Sequence, residues 1–96
     1  MSQKESAPDY RDVVVQISPA ARIINCKDNI QWIVQTLKGG RWRSENYWTW
    51  RNPMLAHLEI RDEHWGETEF VLTSETRNAI EALPDRHGRG RQPIPA

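Results

Sequence analysis

The sequence predicts an α+β domain: a three-stranded antiparallel β-meander packed on one main α-helix, with a second short C-terminal helix. Three observations predict it. The stretch from Ile30 to Trp50, IQWIVQTLKGGRWRSENYWTW, sets two runs rich in β-branched and aromatic residues on either side of a Gly-Gly pair, and glycine supplies the positive φ of a tight hairpin turn. Arg22 to Cys26, RIINC, is a further strand-like run, followed by Lys27, Asp28 and Asn29, of which Asp and Asn suit a turn. After Trp50 the apolar residues change to helical spacing.

Taken in order, residues 1–11 are polar, contain Pro8 and show no periodicity, so a disordered arm is expected. One domain over 12–84 and a flexible basic tail over 85–96 should follow. Val13 to Ile17, VVVQI, ends at Ser18 and Pro19; it reads as an added edge strand or a late-docking arm and stays outside the three-strand count. With Asp28 and Asn29 as the loop, Ile24 faces Ile33 and Ile23 faces Val34. A two-residue loop at Gly39 and Gly40 then pairs Leu37 with Trp42, Gln35 with Ser44, Ile33 with Asn46 and Gln31 with Trp48. A bulge near Ser44 to Asn46 would shift the parity of Tyr47, Trp48 and Trp50. Both hairpin faces carry large apolar groups, so cover is expected on both, from the chain's own helices or from a partner.

Asn52 suits an N-cap and Pro53 the first helical position. Met54, Leu55, Leu58 and Trp65 form one stripe of that helix, with Gly66 as its stop. Phe70 to Leu72 is a brief strand or the approach to the second helix. That helix begins at Thr73 or Ser74, turns Thr76, Ala79, Ile80 and Leu83 inward, and ends before Pro84.

Ninety-six residues with one cysteine and five tryptophans make one small domain whose bulky rings fill a limited core. The N-terminal residues have no apolar run that would act as a signal sequence, and no segment has the length of a membrane span. A cytoplasmic, soluble protein is expected. The net charge of zero conceals a segregation. Arg22 to Arg51 holds six cations against two carboxylates, net +4, whereas Glu59 to Asp85 holds eight carboxylates against two arginines, net −6. Such a division gives a directed field or lets the two halves attract each other.

Catalytic and metal chemistry find little support. His57, His64 and His87 with Cys26 lack the paired spacing of a metal site, so neither a metal nor a cofactor is implied. Cys26 lies beside Ile24 and Ile33 in the strand register and reads as a small hydrophobe. Gly39-Gly40 joins strands and no helix N-terminus follows it, which removes a phosphate loop. The clustered Asp62, Glu63, Glu67 and Glu69 read as a solvated face, so the chain is not expected to be an enzyme.

The basic, aromatic hairpin is the constellation with a mechanism attached. Lys38, Arg41, Arg43 and Arg51 are interleaved with Trp42, Trp48 and Trp50; guanidinium groups contact phosphates and exposed rings stack on bases. Most of the indoles are expected in the core, with Trp42 beside the turn and Trp50 at the far end expected at the surface. The leading expectation is a non-catalytic binding module whose hairpin contacts nucleic acid. The alternative is a small protein-interaction module, a regulator or inhibitor, using the same aromatic surface.

A three-stranded sheet followed by a helix resembles the layout of APETALA2-type and integrase-arm DNA-binding domains, which lay the sheet in the major groove. Locally, CKDNIQWIVQ followed by GGRWR resembles small proteins of proteobacterial genomes and mobile elements, a group with no assigned activity. That resemblance covers about a third of the chain. It implies a shared fold and supplies no site residue.

Overall fold

A computed structural model describes residues 5–10, 12–61 and 72–87. It is an α+β structure with four strands rather than three: β1 (Val13–Ser18), β2 (Ala21–Asn25), β3 (Trp32–Lys38) and β4 (Arg41–Trp48), in sheet order β1-β2-β3-β4. All neighbours are antiparallel. The added strand is β1. Its turn at Pro19 and Ala20 is closed by the Ser18 hydroxyl, which accepts the Ala20 N–H at 3.1 Å. Val15 and Ile17, two residues apart, both reach the core while Gln16 between them is exposed, and the pairing with β2 shifts register twice, between Val13 and Val15 and between Gln16 and Ser18.

The β2–β3 register is the expected one, with Ile24 opposite Ile33 and Ile23 opposite Val34. At the hairpin tip Leu37 faces Trp42 and Gln35 faces Ser44, also as expected. Gly39 and Gly40 carry φ of +57° and +81°, the pair of positive values that a primed two-residue turn requires. Beyond Ser44 the register shifts: Val34 faces Asn46, Ile33 faces Tyr47 and Trp32 faces Trp48. Glu45 is the extra residue, and the pairings of Ile33 with Asn46 and Gln31 with Trp48 are thereby corrected. The bulge places Trp48 beside Trp32 on the helix side of the sheet.

Helix α1 (Arg51–Ile60) lies against β4 and α2 (Ser74–Glu81), and α2 also packs on β1. Asn52 is not the N-cap. The helix begins two residues earlier, at Arg51 with Trp50 as its N-cap; there the Asp85 carbonyl accepts the Arg51 N–H at 3.0 Å and so provides a partner that a first-turn amide otherwise lacks. Pro53 still falls in the first turn, where its missing N–H costs nothing. The start of α2 is as expected: the Thr73 side chain accepts the Thr76 N–H at 3.1 Å. Ala79, expected inward, is exposed, while Thr76 and Ile80 are buried. The expected helix stop at Gly66 and its stripe member Trp65 lie outside the described residues, as do Phe70 and Val71.

The sheet is covered on both faces. On one, Ala21, Ile23, Trp32 and Val34 meet Met54, Leu58 and Ile80 of the helices. On the other, Ile24, Cys26 and Ile33 meet Tyr10, whose hydroxyl donates to the Asn25 carbonyl at 2.8 Å. Glu5 to Tyr10, within the segment expected to be disordered, forms the second cover. Apart from the Tyr10 ring, polar main chain supplies it, so no apolar pattern announces it. Likewise Asp85 to His87, at the start of the expected flexible tail, runs beside Thr49 to Arg51. His87 is buried there, its Nε2 2.9 Å from the Asn25 side-chain oxygen and its ring edge-on to Trp32. Among the described residues no helix is long and apolar enough to cross a membrane.

Candidate nucleic-acid interface

The hairpin turn sets the geometry of the cationic group. Lys38 faces Arg41 and Thr36 faces Arg43 across the ladder, so by the two-residue period Lys38, Arg41 and Arg43 share one face of the hairpin tip. All three are exposed and none forms an ion pair among the described residues. Glu45, the carboxylate of the same strand, is engaged elsewhere. Its Oε2 accepts the Thr36 hydroxyl at 2.7 Å and its Oε1 lies 3.7 Å from Arg61 Nη1. The bulge turns this side chain onto the face of Thr36 and Arg43, where the Thr36 hydroxyl and Arg61 take up its carboxylate.

The rings are not presented with these cations. Trp42 shares the opposite face with Gln35 and Ser44 and is only 7% exposed; its expected place at the surface is corrected. The cause is Arg22, whose guanidinium covers the ring at 4.2 Å from the centroid, itself covered by residues 5–8. Trp48 is half-buried against the core and beside the His57 ring. His57 is itself half-buried beside that ring. Among the described residues Trp50 is the most exposed indole, at 49%, with the Arg86 guanidinium 5.4 Å from its ring centre.

Arg51 does a different task from the tip cations. It donates to the Glu81 and Leu83 carbonyls at 3.1 and 2.9 Å and to the Asn52 side chain at 3.1 Å. It thereby satisfies carbonyls at the end of α2 and ties the two helices together. The single interface expected from the sequence is thus divided. Lys38, Arg41 and Arg43 stand at one end of β4, Trp50 and Arg86 at the other, about 20 Å apart at the usual rise per residue of a strand.

Arg22 has no role expected from the sequence. Within the expected register it falls opposite Gln35, a charged and an amide side chain in the middle of two apolar runs, and that pairing is the signal that could have found it. Both are buried, and Arg22 Nε donates to Gln35 Oε1 at 2.8 Å. Burial lowers the Arg22 guanidinium from its usual value, while the neighbouring Tyr10 phenol acts the other way. Cys26 is buried among Ile24, Ile33 and Tyr10, its Sγ accepting the Ile30 N–H at 3.3 Å. Among the described residues no three His, Cys, Asp or Glu side chains are grouped so as to hold a metal ion. No protein-family model, no curated protein and no solved structure matches this chain.

Proposed function

We propose that this protein is a non-catalytic binding module that meets nucleic acid through the tip of its β3–β4 hairpin. The observation that carries the reading is the trio Lys38, Arg41 and Arg43, exposed on one face of a Gly-Gly turn and outside any ion pair among the described residues, with the nearby Glu45 carboxylate engaged by Thr36 and Arg61. Like charges gathered on a hairpin tip repel one another and favour a polyanion that relieves them. With Trp42 sealed, the tip has positive charge and no stacking ring, so its contacts go to phosphates and the partner is a duplex read by its backbone.

A gel-shift titration against duplex and single-stranded DNA and RNA at two salt concentrations tests this. Affinity should fall steeply with salt, and the variant with Lys38, Arg41 and Arg43 replaced by alanine should abolish the shift. No complex at low salt removes the reading.

A second reading, docking of another protein, is favoured by Trp50. A half-exposed indole with a guanidinium against it, Trp50 with Arg86, is the residue pair that commonly anchors protein interfaces. Such a complex would weaken with Trp50→Ala and be far less sensitive to salt.

A further inference from the structure

We propose that Arg22, Gln35 and the main-chain N–H of Trp42 form an oxyanion site for a phosphate group, closed in this structure by residues 5–8 acting as a displaceable strap.

Arg22 is a buried charge, 1% exposed, and a cation removed from water is normally matched by an anion. Here its partners are carbonyls. Nη1 donates to the Pro8 carbonyl at 3.2 Å, and Nη2 to the Glu5 and Ala7 carbonyls at 3.0 and 2.9 Å. Gln35 Nε2 donates to the same Glu5 carbonyl at 3.0 Å, and the Trp42 N–H, on the outer edge of β4, reaches the Ser6 carbonyl at 3.4 Å. The strap's carboxylate, on Glu5, does not pair with Arg22; its Oε2 accepts the Lys27 N–H at 2.7 Å.

Every donor of this group belongs to the sheet, and every acceptor to the main chain of one short segment. The donors are held independently of it. Gln35 Oε1 orients Arg22 through Nε, the Trp42 ring lies under the guanidinium, and Gln35 Nε2 also meets the Ser44 hydroxyl at 3.3 Å. A guanidinium fork with an amide and a backbone N–H beside it is a donor set for phosphate oxygens, and a phosphate would add the full negative charge that the carbonyls lack. The strap is hinged rather than woven in. Tyr10 is fixed in the second core by its ring and hydroxyl, so residues 5–8 can lift without disturbing β1.

The closed strap makes the site competent only in its open fraction, and loosening it raises apparent affinity in proportion to the increase in that fraction. This inference rests on the nucleic-acid reading only for the source of the phosphate. The shared chemistry is a phosphate group, carried by a nucleic-acid backbone or free in solution.

The test uses the full chain and the variant Glu5→Ala/Pro8→Gly, which removes the Lys27 anchor and the stiffness of the strap without touching the donors. Proton–nitrogen NMR follows the Arg22 Nε–H and the Trp42 main-chain N–H during titration with inorganic phosphate and, separately, a short DNA duplex. Both protons should exchange faster in the variant, and phosphate should shift them at about tenfold lower concentration than in the natural chain. A duplex that shifts them in the background where Lys38, Arg41 and Arg43 are alanine identifies nucleic acid as the source; inorganic phosphate acting alone identifies a free phosphate. Unchanged exchange in the variant overturns the strap. Faster exchange with neither ligand shifting the two protons overturns the site. A failed gel shift at the hairpin tip, by contrast, leaves the phosphate titration unaffected, so the two readings fail separately.

Discussion

The Arg22 guanidinium lies 4.2 Å from the centre of the Trp42 ring, and both side chains are buried. This pairing removes the ring from the hairpin surface and joins the first described residues of the chain to the sheet, since the same guanidinium holds the Glu5, Ala7 and Pro8 carbonyls. Arg22→Ala should therefore cost about 3 kcal/mol, the sum expected for charge-assisted hydrogen bonds and a buried cation–π interaction. Arg22→Lys keeps the charge and loses the planar fork, so about half that cost is expected. Urea unfolding checks both. A change below about 0.5 kcal/mol for Arg22→Ala would mean that the strap contributes nothing to the fold.

The tip cations should behave oppositely. Lys38, Arg41 and Arg43 are exposed and have no ion pair among the described residues, so replacing all three by alanine should leave stability within about 0.5 kcal/mol per site. On the proposed function, duplex affinity should fall and the slope of log affinity against log salt should flatten by about 0.9 for each phosphate that is no longer neutralised. Binding measured at several salt concentrations separates this from a general loss of fold.

The parts of the fold legible in the sequence are those fixed by local grammar. Gly39-Gly40 specifies the turn, the Ile23, Ile24, Ile33 and Val34 set fixes the β2–β3 register, and Thr73 caps α2. What escapes is decided by neighbours distant in sequence. Glu45 is bulged out of the ladder and bonded to Thr36, and nothing in SENY marks which residue leaves the ladder. Arg51 has the sequence surroundings of a surface cation, and its true partners, the Glu81 and Leu83 carbonyls, lie about thirty residues away. Trp42 is expected at the surface and found beneath the Glu5–Pro8 cover because that cover is made of main-chain carbonyls, which hydrophobic patterning has no means of revealing.

Arg51 gives a prediction that discriminates structure from interface. Its guanidinium donates to the Glu81 and Leu83 carbonyls at the end of α2 and to Asn52, so Arg51→Ala should cost about 1–2 kcal/mol through unsatisfied acceptors. Affinity of the folded fraction for duplex should be unchanged. Thermal unfolding beside a binding titration checks the pair, and weaker binding at unchanged stability would return Arg51 to the interface.

The turn itself supplies the last test, because it isolates backbone conformation from packing. Gly39 and Gly40 have φ of +57° and +81°, and a Cβ added at either meets nothing within 4 Å. Substitution there brings no clash, so any cost comes from the left-handed backbone, about 1 kcal/mol for alanine. Gly39→Asn should be nearly neutral, since asparagine visits this region and Asn-Gly suits a primed turn. Gly40→Ala should be destabilising by about 1 kcal/mol, and should splay Lys38 from Arg41 at the tip. Unfolding curves measure the first effect and the salt slope of duplex binding the second. Equal stability for both variants would show that the tip relaxes to another turn, and the alignment of the three cations would then rest on β3 and β4 rather than on the glycines.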